Sequence, residues 1–90
     1  MPEEVLLDVS ELPPPEPLTL TLEAAEQLKP GQYLRMLHRR EPCMLFGNLD
    51  DCHFNYFQRK GVRTAVEVFI WAEDDQEAAA AVQAIIDQPE

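Results

Sequence analysis

Clusters of apolar residues that alternate with polar ones predict four β-strands in this chain. The segments at 5–9, 33–37, 54–58 and 64–71 are rich in apolar, β-branched and aromatic side chains, which favour extended backbone. Gly61 follows the third segment and predicts the turn into the fourth. Together the four segments are enough for one small sheet.

A first helix is predicted between the first two strands. It covers 18–28, and Pro30 with Gly31 ends it. Residues 18–22 also alternate as in a strand, but the strong helix formers at 23–28 favour a helix.

Two more helices complete the predicted order. The second begins at Pro42, because proline suits the first position of a helix. Its apolar face consists of Leu45, Leu49 and Cys52. Asp74 and Glu77 have the spacing of a capping box and predict a last helix over about 74–87. The apolar stripe of that helix consists of Ala78, Ala81, Val82 and Ile85.

The order βαβαββα predicts a two-layer α/β sandwich with a four-stranded mixed sheet and an added C-terminal helix. We expect residues 1–90 to form a single domain, with a core over about 5–71 and the extension at about 74–87. Ninety residues suffice for one modest core.

The charges are segregated along the chain. All seven Lys and Arg residues lie within 29–63, whereas the whole chain carries 17 acidic residues and a net charge of −10. The acidic balance argues against duplex nucleic acid and anionic membranes as partners. The basic segment is either a solvated surface or a local anion site on an acidic body. With an acidic start and no long apolar run, the chain is expected to be cytoplasmic.

A motif at 7–17 resembles the opening signature of TusA-like (SirA-like) sulfur carriers, L-D-x-x-G-L-x-C-P-x-P. In this chain it is Leu7-Asp8-x-x-Glu11-Leu12-x-Pro14-Pro15-Glu16-Pro17. The resemblance implies the βαβαββ fold of that superfamily. Pro14 stands where the sulfur carriers have their cysteine, and Glu11 where they have glycine. Proline has no nucleophile, which disfavours an enzyme.

The chain is more similar to a related family, called domain of unknown function 2249. Its members commonly show P-P-E-P, and an H-D-R-E-P-x-P-L-like segment after the second strand. Here that segment is His38-Arg39-Arg40-Glu41-Pro42-Cys43-Met44-Leu45, which departs from the pattern at Arg39 and Met44. The resemblance implies a redox or respiratory context, because such domains often occur with hemerythrin-like and nitrogen-oxide-related proteins.

The strongest candidate site is where the first two strands lead into their helices. Both loops follow parallel-type crossovers and should lie at one edge of the sheet. We call this the βα-loop edge, and its predicted ligand-binding residues are Pro14, Glu16, His38, Arg39, Arg40 and Glu41. A histidine beside arginines at a helix N-terminus suits an anion, although local capping explains it equally well. Glu16 and Glu41 could act as an acid–base pair only if the loops meet.

The two cysteines lead to different expectations. Cys43 lies at a helix N-terminus near Arg39 and Arg40, which would lower its thiol pKa. It is either a surface cysteine or a substitute sulfur carrier or redox thiol. Cys52 is expected in the core. His38, Cys52 and His53 match no zinc spacing, so no metal and no cofactor are expected.

The fourth strand should have two different faces. One consists of Val66, Val68 and Ile70 and suits the helix layer. The other consists of Ala65, Glu67, Phe69 and Trp71, and is joined by Tyr33 and Leu37 of the second strand. This second face is either an interface for a partner, through Tyr33, Phe69 and Trp71, or it is covered by the last helix.

The leading hypothesis is a non-catalytic ligand-binding or interaction module in a redox or sulfur-related context. Its partner would be another protein or a small anionic ligand, and a homodimer is left open. The first alternative is sulfur transfer or thiol redox chemistry through Cys43. The second is a haem- or metal-linked redox accessory, which rests on the family context.

Overall fold

The computed structural model describes residues 3–13, 16–39, 43–61 and 64–88. Its elements follow the predicted order. They are β1 (Glu3–Asp8), α1 (Glu16–Glu26), β2 (Gln32–His38), α2 (Cys43–Asp51), β3 (Phe54–Lys60), β4 (Val66–Ala72) and α3 (Gln76–Asp87). No helix in these ranges is long and apolar enough to cross a membrane.

The four strands form one mixed sheet in the order β1-β2-β4-β3. β1 and β2 are parallel, as a strand–helix–strand crossover requires, whereas β4 pairs antiparallel with both β2 and β3. β4 therefore lies between two strands that precede it in the chain. The predicted α/β sandwich with a C-terminal helix is confirmed.

The main core lies between one face of the sheet and the helices α1 and α2. Its buried residues are Val9, Ala25, Leu34, Met36, Leu45, Leu49, Val68 and Ile70. Val66 packs against this core, so the predicted aliphatic face of β4 is confirmed. Full burial of an aliphatic side chain of this size stabilises a fold by about 1.5–3 kcal/mol.

The helix α3 packs on the opposite face of the sheet. It buries Tyr33 and Phe69 against its own Ala78 and Val82. Trp71, Ala81, Ile85 and Ile86 pack around this second cluster and are partly buried. The sequence left open whether this face binds a partner or is covered by the last helix. In the structure α3 covers it.

The carboxylate of Asp75 links the start of α3 to the turn before β2. Asp75 Oδ1 accepts a hydrogen bond from Ala78 N at 3.0 Å, and Oδ2 accepts one from Gly31 N at 2.7 Å. These two amides lower the pKa of Asp75 below its usual value. The prediction that Asp74 begins the helix is thus wrong by one residue. Asp75 is the cap instead, because its carboxylate reaches both the first turn of α3 and the turn before β2.

The expectation that Cys52 belongs to the core is also wrong, since Cys52 is exposed. α2 ends at Asp51, so the helical face that buries Leu49 does not continue to Cys52. His53 then takes a positive φ of 64°, and Phe54 packs against the main core instead. A left-handed conformation costs a residue with a Cβ about 1–2 kcal/mol, and glycine usually occupies it.

We expect Asp75→Ala to lower the free energy of unfolding by about 1–3 kcal/mol, because it removes the helix cap and a charged hydrogen bond to Gly31. Asp74→Ala is the matched control, with an expected change within about 0.5 kcal/mol. Chemical denaturation followed by Trp71 fluorescence measures both. Equal losses in the two variants would contradict the assigned role of Asp75.

The low pKa of Asp75 gives this tie a pH dependence. Its stabilisation is present above the pKa of the unfolded chain and is lost as the pH falls through the lower pKa of the folded protein.

Candidate functional site

The βα-loop edge is the end of the sheet at which β1 and β2 finish and α1 and α2 begin. The strand register aligns Asp8 with Leu37, and it places His38 beside Val66. Lys60, at the end of β3, pairs with the same Val66 from the other side. His38 and Lys60 therefore lie two strand spacings apart, or about 9–10 Å.

The structure brings three of the predicted ligand-binding residues to this edge. Glu16 is the first residue of α1 and is exposed. His38 is the last residue of β2 and is partly buried, and the exposed Arg39 follows it directly. Pro14, Arg40 and Glu41 lie outside the described residues, so the pairing of Glu16 with Glu41 stays a prediction.

Asp8 stabilises the turn that directly follows β1. Its Oδ1 accepts hydrogen bonds from the amide of Ser10 at 3.0 Å and from the Ser10 hydroxyl at 2.7 Å. This is the local pattern by which a short carboxylate stabilises a turn. The chain then continues to Glu16, whose amide donates to Pro13 O at 3.1 Å. The aspartate of the sequence motif therefore fixes the turn at which the chain leaves β1.

The two helices at this edge differ in their first turns. The first turn of α1 contains the acidic Glu16, whereas the first turn of α2 contains no acidic residue. A carboxylate near a helix N-terminus already satisfies the positive end of the helix dipole. The N-terminus of α2, beside His38 and Arg39, is therefore the better place for an external anion.

Cys52 lies near His53 but away from His38 in the described part of the chain. Cys43 is the first residue of α2, and its side chain lies outside the described part of the chain. Cys52 and His53 lie at the other end of that helix, where His53 Nδ1 is 4.0 Å from Glu73 Oε1. No group of three or more metal-ligating side chains occurs within the described ranges.

The three residues predicted as an interface lie under or beside α3. Tyr33 and Phe69 are 7% and 0% exposed, and their ring centroids are 6.4 Å apart. Trp71 is partly exposed at the margin of the cluster. In the described structure Tyr33 and Phe69 therefore belong to the interior of the domain.

A group of charged residues on the same sheet face was missed from sequence. We call it the sheet-face ion cluster; it consists of Glu4, Arg35, Arg59 and Glu67. The buried Glu67 Oε1 lies 3.6 Å from Arg35 Nε and 3.7 Å from Arg59 Nη2. Arg35 Nε is also 3.1 Å from Glu4 Oε1.

Both guanidinium groups of this cluster lie over the ring of Phe69. Their central carbons are 5.0 Å (Arg35) and 5.1 Å (Arg59) from the ring centroid. That distance is favourable for a cation–π contact. The two positive and two negative charges balance, so the cluster extends the cover over Phe69 without leaving a net buried charge. Only the strand register aligns these residues, which are remote in sequence.

The chain is thus a small α+β domain with a mixed sheet and one edge at which two helices begin. A family model described as "Uncharacterized conserved protein (DUF2249)" matches residues 6–71. This is well over half of the chain, and the protein belongs to the DUF2249 family. α3 lies beyond the matched segment. No curated protein and no solved structure matches the chain.

We expect the protein to lose stability at alkaline pH through Tyr33. Burial and the hydrogen bond that the Tyr33 hydroxyl donates to Glu4 raise the pKa of Tyr33 to about 12. Because this pKa exceeds that of an unfolded tyrosine, the stabilisation is intact below pH 10 and is lost as the pH rises towards 12.

Denaturation over this pH range, with phenolate absorbance, measures the effect, and Tyr33→Phe should flatten it. Tyr56→Phe is measured beside it to separate the share of Tyr56, because partial burial and a hydrogen bond to Asp50 raise the pKa of Tyr56 as well. A Tyr33→Phe variant with the parent's alkaline loss would contradict the assignment.

Proposed function

We propose that this domain is a non-catalytic binding module and that the βα-loop edge binds a small anionic ligand. One observation supports this most directly. α2 begins at the same edge as His38 and Arg39, and Lys60 ends β3 at that edge, two strand spacings from His38. The basic side chains of Arg39 and Lys60 and the positive end of the α2 dipole thus share one edge of a chain whose net charge is −10.

The chemistry of these groups suits an oxyanion. The amides of the first turn of a helix point along its axis and donate hydrogen bonds to an anion. The Arg39 guanidinium adds a planar set of donors that can bind two oxygens at once. His38 adds an imidazole from the last residue of β2.

The resemblance to TusA-like sulfur carriers gives the proposal its context. In that motif Pro14 stands in place of the sulfur-carrying cysteine, so the edge would retain the binding geometry without the covalent step. A redox or sulfur-related role follows from the resemblance, and it favours sulfur oxyanions among the ligands to be tested first.

We expect thermal stabilisation of the protein by phosphate, sulfate, thiosulfate, small carboxylates or nucleotides. A ligand at a hundred times its Kd would stabilise the fold by about 2.7 kcal/mol. His38→Ala combined with Arg39→Ala should weaken binding about tenfold or more, because charged hydrogen bonds contribute about 1.5–3 kcal/mol each.

Lys29→Ala is the matched control, since Lys29 is an exposed base at the opposite end of the sheet. It should leave binding unchanged. A parent protein that none of these anions stabilises would overturn the proposal. So would an equal loss of binding in the Lys29 variant.

A second candidate function is sulfur transfer through Cys43. The supporting observation is that Cys43 is the first residue of α2, where the helix dipole favours a thiolate. The thiolate would attack the outer sulfur of a sulfane-sulfur donor and become a persulfide, and the remainder of the donor would leave as a thiolate or sulfite.

For this candidate, we expect the added mass of one sulfur atom on the parent protein and on Cys52→Ser, but not on Cys43→Ser. Cys52 is a suitable control because it is an exposed free thiol. Intact-protein and peptide mass spectrometry after treatment with thiosulfate or a polysulfide measures the label. Equal labelling of both variants would exclude a special role for Cys43.

A further inference from the structure

The strand β3 is an edge of the sheet and has few of the features that prevent edge strands from pairing. Among the described strands only β4 lies beside it. Its residues 54–58 include neither a charged residue nor a proline, two of the usual protections of an edge strand. The other edge strand, β1, contains Glu3, Glu4 and Asp8 in its six residues. β3 is therefore the edge that is more open to a further strand.

The hydrogen bonds at the two ends of the β3–β4 pair show which main-chain groups face outward. His53 O accepts from Glu73 N at 3.1 Å, and Gly61 N donates to Ala65 O at 3.3 Å. In an antiparallel ladder, alternate residues bond to the same neighbour. Asn55, Phe57 and Arg59 thus bond to β4. The residues whose amides and carbonyls point away from β4 are Phe54, Tyr56, Gln58 and Lys60.

Aromatic side chains lie on both faces of the sheet along this edge. Phe57 is 37% exposed on the face that α3 partly covers. On the other face, the ring of Tyr56 stacks on Phe46 of α2, with the centroids 4.7 Å apart. Aromatic residues are enriched in protein–protein interfaces, because they bury a large area with few rotatable bonds.

The charges at the two ends of β3 are opposite. Its last residue is the exposed Lys60, whereas Arg59 before it is already paired with Glu67 in the sheet-face ion cluster. Its first residue follows the acidic end of α2, Asp50 and Asp51, and Glu73 lies beside His53. An antiparallel copy of the same strand would therefore bring the basic end of each copy to the acidic end of the other. This charge complementarity favours a second copy of the chain as the occupant of the edge.

We propose that β3 pairs antiparallel with β3 of a second copy, about a two-fold axis at Phe57, to form a homodimer with a continuous sheet. In this register Tyr56 faces Gln58 of the other copy and Phe54 faces Lys60, so every outward residue of the strand has a bonding partner. Phe57 meets its own copy as a non-hydrogen-bonded pair, with Cα atoms about 4.5 Å apart. The interface is isologous, which closes the assembly at two subunits.

We expect sedimentation equilibrium from low micromolar to near-millimolar protein to give a monomer–dimer equilibrium. Phe57→Lys should raise the dimer Kd about tenfold or more, because it replaces an aromatic pair by two like charges. Leu6→Lys is the matched control: Leu6 is 50% exposed on the other edge strand, on the same face of the sheet. It should leave the Kd unchanged. Circular dichroism and thermal melting establish that both variants are folded.

A covalent test does not depend on the stability of a charged variant. In a Cys43→Ser, Cys52→Ser background, Phe57→Cys should form a disulfide between copies under mild oxidation, because a non-bonded pair brings the two Cβ atoms close. Leu6→Cys in the same background should form no disulfide between copies, because β1 is not part of the proposed interface.

A parent protein that stays monomeric throughout the concentration range would overturn the proposal. A mass that keeps growing beyond the dimer would do so too, since it would indicate pairing of β3 with β1 of the next copy. Equal cross-linking of the two cysteine variants would also count against it.

Discussion

The antiparallel pairing of β2 with β4 is the interaction on which the rest of the structure depends. It joins the N-terminal strand–helix–strand unit to the C-terminal hairpin, with Leu34 beside Ile70 and Met36 beside Val68. β4 then contributes to both sides of the sheet: Val68 and Ile70 to the main core and Phe69 to the cluster under α3. Loss of the β2–β4 pairing would disrupt both the main core and the cluster under α3. Loss of an edge strand would leave most of the main core in place.

The two faces of the sheet are closed in different ways. The face under α1 and α2 is covered by aliphatic packing, in which each residue contributes by leaving water. The other face is covered by a short helix and by the sheet-face ion cluster, in which Arg35 and Arg59 lie over Phe69 while the carboxylates of Glu4 and Glu67 balance them. Ion pairs of this kind stabilise a fold modestly, because desolvation offsets much of the attraction. The second face therefore depends more heavily on α3 and on its tie through Asp75.

Local pattern accounts for much of this fold. The alternation in β4 predicted which side chains meet the helix layer, and the order of elements predicted the sandwich. The errors lie where one residue decides between two local solutions: Asp75 caps α3 in place of Asp74 because it also reaches Gly31, and Cys52 is exposed because α2 ends at Asp51. The ion cluster could not be derived, since Arg35, Arg59 and Glu67 meet only through the strand register. At the βα-loop edge, the sequence predicted that Glu16, His38 and Arg39 share one edge. It did not predict that Lys60 ends β3 at that same edge, because this depends on the strand register.

α3 follows in the chain the strands whose face it covers, and this order has a consequence for biosynthesis. Tyr33, Phe69 and Trp71 leave the ribosome before the residues of α3 that cover them, and residues within the exit tunnel cannot yet pack. Until α3 has also emerged, this face of the sheet lacks its cover. Such transiently exposed apolar surface is what chaperones bind and what drives aggregation. A chain shortened to the segment that the family shares would remain in that state permanently.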